Sequence, residues 1–270
     1  IQCNGGSNGW IDLDVNGGTG TYFYYIDLLP NTPLTNNIFD TLSAETYTIK
    51  AEDDNGCITT HTVVMTEPST EVTSSVDSSN FNTFGVHCNG DDDGWIDLTV
   101  SGGVIPYTYS WTGPSGYTSS QDSISNLFAG TYDVTATDNN GCITSETVTL
   151  TEPDLLTSSY IESNFNGFGV SCNGYTNGWI ALTVSDGVFP YTYSWTGPNG
   201  YTSANATILN LGAGTYNVTV IDANGYTTSQ TVVIIESNPV VSVFNTSTWN
   251  GYEIQCNGGS NGWIDLDVNG

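Results

Sequence analysis

The stretch that decides the fold is residues 94–111, which read GWIDLTVSGGVIPYTYSW. Apolar and polar residues alternate in its first half, so Ile96, Leu98 and Val100 fall on one face of an extended chain. A glycine pair follows, and the aromatic residues after it again share one face. These alternating runs, each followed by a glycine or proline turn, predict strands with one buried face, and their spacing leaves the strand order open.

The Cys-Asn-Gly triplet that precedes this stretch recurs along the chain at spacings of 84 or 85 residues, each time followed by Gly-Trp-Ile. A fixed period of this kind is the signature of a repeat architecture. Residues 254–270 are identical to residues 1–17, so three non-identical repeats form a larger period, either as tandem triplets or as one period of a filament. The predicted units are repeat 1 at 1–68, which lacks its first strand, repeat 2 at 69–153, repeat 3 at 154–238, and the start of the next repeat at 239–270. We expect a neighbouring copy to supply the strand that repeat 1 lacks.

The composition favours an all-β chain. Glycine and aromatic residues are abundant, and about seven short strands in some 84 residues is the size of an immunoglobulin-like β-sandwich. We therefore predict tandem sandwiches arranged as an extended fibre. Lys50 is the only basic residue other than histidine, and the net charge of −27 makes nucleic acids and anionic membranes poor partners. The charge indicates solubility of a repetitive β-protein, binding of divalent cations, or life at high salt. No apolar stretch is long enough for membrane insertion in this segment.

Several motifs resemble the SprB-type repeat of bacterial gliding-motility adhesins and related giant cell-surface proteins. They are the Cys-Asn-Gly triplets, residues 102–111, 126–132 and 137–142, and the Thr-Glu-Pro at 151–153. The resemblance implies a bacterial cell-surface location, export by type 9 secretion, and no catalytic residues to transfer. Repeat 1 departs most, because YFYYI at 22–26 replaces the Tyr-Thr-Tyr-Ser-Trp of the other two.

The cysteines of an acidic, secreted chain predict disulfides. The simplest scheme pairs Cys3 with Cys57 and Cys88 with Cys142, within each repeat. Because Tyr226 replaces the second cysteine of repeat 3, this scheme leaves Cys172 and Cys256 unpaired or available for contacts between modules. The competing scheme joins neighbouring repeats, Cys57 to Cys88 and Cys142 to Cys172. In a strict immunoglobulin topology the two turns that carry the cysteines lie at opposite ends, which argues against the first scheme.

Two kinds of polar site are weighed against ordinary turns. Asp91, Asp92 and Asp93 form a weak calcium candidate, but they lack the spaced ligands of a calcium loop, so we expect neither a metal site nor another cofactor. Thr41 and Ser123 lie in Asp-Thr-Leu and Asp-Ser-Ile, a pattern used for O-glycosylation in the bacterial phylum that the resemblance implies. The hypothesis that this chain is a glycoprotein rests on these two residues.

Strand parity places four tryptophans opposite the core face. They should point outward, where they contact sugars or other modules, or lie under the first strand or an adjacent module. They are Trp10, Trp95, Trp179 and Trp263. By the same parity, Trp111 and Trp195 are expected in the core.

The sequence thus predicts a structural protein, not an enzyme, because no repeated constellation of catalytic side chains is present. The expected function is a repeat segment of an extracellular surface filament or adhesin stalk, linked to surface adhesion or gliding. Its expected partners are copies of itself along the filament. The alternative is a polysaccharide-binding repeat that uses the outward tryptophan faces.

Overall fold

The computed structural model describes residues 1–27, 34–255 and 259–269. Over these residues the chain consists of β-strands, turns and two short 3-10 segments at Pro114–Gly116 and Pro198–Gly200. It divides into two compact units, Ile1–Glu152 and Pro153–Gly270. Within the described ranges, no helix has the length and apolarity needed to cross a membrane.

The strands follow one another with the same order in each repeat. Repeat 1 contains β1 (Gly9–Asp12), β2 (Phe23–Ile26), β3 (Ile38–Leu42), β4 (Thr46–Glu52) and β5 (Ile58–Val64). Repeat 2 contains β6 (Thr73–Ser78), β7 (Gly94–Ser101), β8 (Thr108–Thr112), β9 (Thr118–Ser119), β10 (Ser123–Leu127), β11 (Gly130–Thr137) and β12 (Ile143–Leu150). Repeat 3 contains β13 (Thr157–Glu162), β14 (Gly178–Ser185), β15 (Thr192–Thr196), β16 (Thr202–Ser203), β17 (Thr207–Leu211), β18 (Gly214–Ile221) and β19 (Thr227–Ile234). The next repeat begins with β20 (Val241–Thr246) and β21 (Ile264–Asn269).

Repeats 2 and 3 are immunoglobulin-like β-sandwiches, which confirms the predicted fold class. In repeat 2 one sheet has the order β10-β7-β6 and the other has the order β12-β11-β8-β9. Repeat 3 has the matching orders β13-β14-β17 and β16-β15-β18-β19. The first, second and fifth strands thus form one antiparallel sheet, and the remaining four form the other, with the Greek-key connections of this fold.

The core lies between the two sheets, where the inward-facing residues of alternating strands meet. Ile96 and Leu98 of β7 are buried against Trp111 of β8, whose side chain is only 1% exposed. The Trp111 ring nitrogen donates a hydrogen bond to the carbonyl of Gln121 at 2.8 Å, so its polar atom is satisfied inside the core. Trp195 occupies the same place in repeat 3 and is equally buried. The predicted burial of both tryptophans is confirmed.

A buried tyrosine ties the second sheet to the loop before it in every repeat. Its hydroxyl donates to the carbonyl four residues upstream, in the manner of the tyrosine corner of immunoglobulin-like domains. Burial raises the pKa of Tyr132 and of Tyr216, since the phenolate form would be poorly solvated there. The three bonds run from Tyr47 to Ser43, from Tyr132 to Phe128 and from Tyr216 to Gly212, at 3.0–3.1 Å.

A buried aspartate joins two turns at one end of each repeat. In repeat 2, Asp138 accepts backbone N–H bonds from Val104 at 2.9 Å, and from Asn140 and Cys142 at 2.8 Å each. Burial raises the pKa of Asp138, but the N–H donors of Val104, Cys142, Asn140 and Gly141 outweigh that effect, so the pKa lies below its ordinary value of 3.8. Asp53 and Asp222 form the corresponding bonds in repeats 1 and 3.

Repeat 1 shows a smaller first sheet. There β1 pairs only with β3, whereas β7 and β14 each lie between two strands. In the next repeat, β20 pairs with β21, and residues 264–269 of β21 have the same sequence as residues 11–16. In the next repeat, the sequence that matches residues 11–16 therefore pairs with the first strand of that repeat. The expectation that a neighbouring copy supplies it to repeat 1 stays a prediction.

The first prediction concerns the packing of Trp111. Replacing it with alanine should lower the stability of repeat 2 by about 3–5 kcal/mol, because a large buried side chain leaves a cavity. Hydrogen exchange followed by mass spectrometry would report faster exchange of β11, while β18 in repeat 3 serves as an internal reference. Trp95→Ala, at a 38% exposed position, is the matched control. Equal effects of the two substitutions would contradict the assignment of Trp111 to the core.

The second prediction concerns acid. Because the folded-state pKa of Asp138 is lowered, its carboxylate stabilises the fold above the unfolded-state pKa, and this contribution is lost as the pH falls through the folded value. Asp138→Asn should therefore have a lower melting temperature than the parent at pH 7, and the difference should shrink as the pH falls below about 3.8. Asp92→Asn, at an exposed position, is the control. A difference that is as large at pH 2.5 as at pH 7 would refute this role.

Candidate functional site at the repeat junction

The Cys-Asn-Gly loop is clamped by the glutamate that ends each repeat. In repeat 2 the N–H of Gly90 donates to the Glu152 carboxylate at 2.7 Å. Gly5 and Gly174 donate in the same way to Glu67 at 2.6 Å and to Glu236 at 2.7 Å. The Cys-Asn-Gly loop and the glutamate at the end of the repeat are far apart in sequence, but they thus meet at one end of the folded repeat.

The two cysteine-bearing turns of a repeat lie at opposite ends of its last strand. Cys142 directly precedes β12, and Glu152, the glutamate that clamps the Cys88 loop, lies two residues after its end. Eight residues of strand span about 26 Å at ~3.3 Å per residue. A disulfide needs Cα atoms roughly 4.4–6.8 Å apart, so the predicted pairing of Cys88 with Cys142 is wrong. The same geometry excludes the predicted pairing of Cys3 with Cys57 across β5.

The disulfide of the structure joins consecutive repeats instead. Cys3 of repeat 1 is bonded to Cys142 of repeat 2, with the Cα atoms 5.7 Å apart. Beside it, the Asn140 side chain donates to the carbonyl of Gln2 at 2.9 Å. The competing scheme, Cys142 with Cys172 and Cys57 with Cys88, is therefore also wrong, although it placed the bond between repeats. In this bond the first cysteine of repeat 1 pairs with the second cysteine of repeat 2.

The remaining cysteines differ in exposure. Cys57 and Cys172 are exposed thiols outside any disulfide of the described residues, while Cys88 is buried. The expected role of Cys256 in contacts with the next period stays a prediction, because that residue lies outside the described residues.

The bridge closes a polar junction within the first unit. Residues from both repeats line a shallow cleft beside the disulfide, among them Asn4 and Pro68 on one side and Gly103 and Ile143 on the other. Asn4 donates through its side chain to the carbonyl of Pro68 at 2.9 Å, which holds the loop against the segment that leads into repeat 2. The junction is thus built from a covalent bond and hydrogen bonds.

The aspartate run of repeat 2 takes part in loop structure. Asp93 accepts the N–H of His87 at 3.0 Å, as Asn8 and Asn177 accept the corresponding N–H groups of the other repeats.

A different group of possible metal ligands comes together in repeat 2, because ligand atoms of His87, Cys88 and Asp91 lie within 4.8 Å of one another. Such a nitrogen, sulfur and oxygen set suits a zinc-like ion better than calcium. Sequence reasoning missed His87 and Cys88 because they match no known ligand spacing, and only repeat 2 carries all three residues. Calcium binding by Asp91, Asp92 and Asp93 stays a prediction.

The outward tryptophans lie on the first sheet of each repeat. Trp10, Trp95 and Trp263 are 65%, 38% and 53% exposed, and Trp179 is partly buried. Around Trp95 this outer face is polar, since Ser125 lies directly opposite it and Asp97 follows two residues along the strand. A flat aromatic ring beside carboxylates and hydroxyls has the chemistry that sugar-binding surfaces use. Contact with sugars or other modules stays a prediction for all four residues.

The candidate O-glycosylation residues lie on the surface at unlike positions. Thr41 is exposed, has a positive φ of 56° next to the irregularity between β3 and β1, and donates to the carbonyl of Asp40. Ser123 begins β10 and donates to the Asp97 carboxylate. Both hydroxyls are on the exposed side of the sandwich, and their modification stays a prediction.

Comparison with known proteins finds a family match in each repeat. The SprB repeat family matches residues 1–28, 82–116 and 170–200, which cover the Cys-Asn-Gly loop and the strands after it. No curated protein matches the chain.

Several solved structures align with this chain at low sequence identity. The N-terminal eight Ig domains of Down syndrome cell adhesion molecule isoform 1.30.30 align over 86% of this chain and 35% of that one, with 15% identity and a TM-score of 0.40. The tetra-tandem repeat in the extending region of a large adhesion protein aligns over 84% and 69%, with 16% identity and a TM-score of 0.27. Extracellular domains 3–5 of Drosophila OTK align over 79% and 85%, with 14% identity and a TM-score of 0.26. This chain spans about a third of the first of these structures. The chain is thus similar to the SprB repeat family over one segment in each of repeats 1, 2 and 3.

Proposed function

We propose that this chain is a structural repeat segment of an extracellular bacterial surface filament or adhesin stalk, serving surface adhesion or gliding, with copies of itself as neighbours along the filament. The observation that carries the proposal is the covalent bond between Cys3 and Cys142, which joins one SprB-type repeat to the next. Export by type 9 secretion belongs to the proposal, because the same repeat type implies it.

The path of the chain through a repeat suits a stalk. β6 begins opposite the end of β7, at the same end as the Asp138 turn, because Thr73 pairs with Ser101. The last strand, β12, finishes at the other end, beside the Glu152 clamp. The polypeptide therefore enters a repeat at one end and leaves it at the other. Tension along the chain would be carried across the full length of the sandwich.

The junction adds a second connection in parallel with the peptide linker. The disulfide closes a loop of 139 residues and so lowers the entropy of the unfolded chain. On the loop-closure model this stabilises the folded state by about 5 kcal/mol. The bond also restricts how far the two joined repeats can separate when the linker is pulled. Such a bond is stable in the oxidising medium outside the cell.

The charge suits an extracellular filament that stays dispersed. The only lysine, Lys50, already forms an ion pair with Glu52 at 2.8 Å and lies over the ring of Tyr25. The remaining surface is acidic, so neighbouring filaments repel one another and exposed sheet edges are discouraged from pairing. The same charge disfavours nucleic acid and anionic lipid as partners.

The second candidate function is polysaccharide binding, and the exposure of Trp10, Trp95 and Trp263 favours it. These rings recur once per repeat on the outer face of the first sheet. Regularly spaced rings of this kind would give weak sites that act together along a sugar chain.

The third prediction tests the stalk. An antibody raised against residues 69–153, used with immunogold electron microscopy on the cells that produce the protein, should label thin external filaments at a regular spacing. Pre-immune serum is the control for background. Label confined to the cytoplasm or to soluble secreted material would contradict the proposal and would move polysaccharide binding to first place.

The fourth prediction tests the alternative. On an array of surface polysaccharides from the producing cells, Trp95→Ala should lose binding if the outward rings contact sugar, while its melting temperature stays that of the parent. Val76→Ala, at a partly exposed position on the neighbouring strand, is the matched control. Unchanged binding after substitution of Trp10, Trp95 and Trp263 together would reject this alternative.

A further inference from the structure

The bridge between repeats 1 and 2 has two halves, and repeats 3 and 1 each carry one half that is not joined. The first half is a cysteine in the Cys-Asn-Gly loop, and the second is a cysteine that closes the aspartate turn. Cys172 supplies the first half and Cys57 supplies the second, and both thiols are exposed. This pair follows the pattern of Cys3 and Cys142, which are bonded.

The turn of Cys57 has the hydrogen bonds of the turn of Cys142. The N–H of Cys57 donates to the Asp53 carboxylate at 2.8 Å, and its carbonyl accepts the N–H of Asp53 at 3.0 Å. For Cys142 and Asp138 the same two bonds measure 2.8 and 2.9 Å. The Cys57 thiol is therefore presented from the same backbone frame as the thiol that is already bonded.

The loop of Cys172 likewise has the hydrogen bonds of the loop of Cys3. Asn173 donates through its side chain to the carbonyl of Ser237 at 3.0 Å, as Asn4 donates to Pro68 at 2.9 Å. The glutamate clamp on the glycine of each loop also has the same length within 0.1 Å, 2.7 Å at Gly174 and 2.6 Å at Gly5. Both partners of a second bridge are thus preformed.

The order of the repeats brings these two halves to one junction. Repeat 3 leads into a segment whose residues 254–270 are identical to residues 1–17, so the repeat that follows repeat 3 is of the repeat 1 type. That repeat carries the Cys57 turn. We propose that Cys172 forms a disulfide with the Cys57 of the next triplet along the same polypeptide. Repeat 3 carries Tyr226 where repeats 1 and 2 carry Cys57 and Cys142, so the proposal concerns only the step from repeat 3 into the next triplet.

The reaction is an ordinary thiol oxidation. The Cys172 and Cys57 thiols lose two protons and two electrons as their sulfur–sulfur bond forms. An external disulfide oxidant accepts the electrons and becomes a dithiol, by exchange through a mixed disulfide. Both thiols are exposed, which this exchange requires.

With this bond, each triplet would have two bridged junctions. Repeats 3, 1 and 2 would then form a covalently linked series. The inference requires only that the triplets recur, so it holds or fails separately from the cell-surface location.

The fifth prediction tests the pairing directly. The native protein would be denatured in the presence of a chelator without reduction, labelled with a maleimide, digested with Glu-C and Asp-N, and analysed by mass spectrometry. We expect a linked peptide pair that contains Cys172 and Cys57, and a second pair that contains Cys3 and Cys142. Maleimide on both Cys57 and Cys172, or a bond from either of them to Cys88, would overturn the proposal.

Variants and gels separate the remaining outcomes. Cys172→Ser should expose Cys57 to the label in full, whereas Cys88→Ser, the matched control, should leave the label on Cys57 absent. On denaturing gels the native protein should run as a single chain both with and without reduction, because the bond lies within one polypeptide. A ladder that collapses on reduction and disappears in Cys172→Ser would show instead that separate chains are joined, and would overturn the assignment to one polypeptide.

Discussion

The length of one strand decides how this chain is cross-linked. The turn that carries Cys142 and the loop that carries Cys88 lie at opposite ends of β12, about 26 Å apart by strand geometry. No disulfide spans that distance, so a cysteine at either end is directed to a neighbouring repeat. The same separation places the entry and the exit of the polypeptide at opposite ends of the sandwich. A repeat with this geometry is suited to tandem joining, and the bond between Cys3 and Cys142 joins two of them.

Carboxylates hold the ends of the repeats together, although the chain has almost no basic residues to pair with them. The Asp138 carboxylate accepts N–H bonds from the two turns at one end, and Glu152 accepts the N–H of Gly90 at the other. Backbone N–H groups are neutral donors, so these bonds do not require counter-charges and are weakened little by salt. The cost appears in acid, where protonated carboxyl groups no longer accept these bonds as well.

Sequence reasoning succeeded where parity alone decides the outcome. The alternation in residues 94–100 identified Ile96 and Leu98 as core residues, and parity placed Trp111 inside and Trp10 outside. Sequence reasoning failed for the disulfide, because the spacing of cysteines along the chain does not determine at which end of a sandwich each turn lies. In an immunoglobulin topology these two turns lie at opposite ends, and the strand order of repeat 2 has this arrangement. The set of His87, Cys88 and Asp91 was missed for another reason, since its ligands meet through a loop conformation that no motif describes. A comparison of equivalent positions would have found it, because only repeat 2 places all three residue types there.

The differences among the three repeats have a common logic. Two differences lie at the positions that carry the bridging cysteines. Tyr226 stands where repeats 1 and 2 have a cysteine, and repeat 2 alone has a histidine, His87, before the buried Cys88. Under the proposed pairing, the bonds from Cys3 to Cys142 and from Cys172 to the next Cys57 link repeats 3, 1 and 2 in series. Each of these two junctions then has both the peptide linker and a disulfide. When the stalk is pulled, the disulfide limits how far the linker can extend, so the load reaches the hydrogen-bonded ends of both sandwiches.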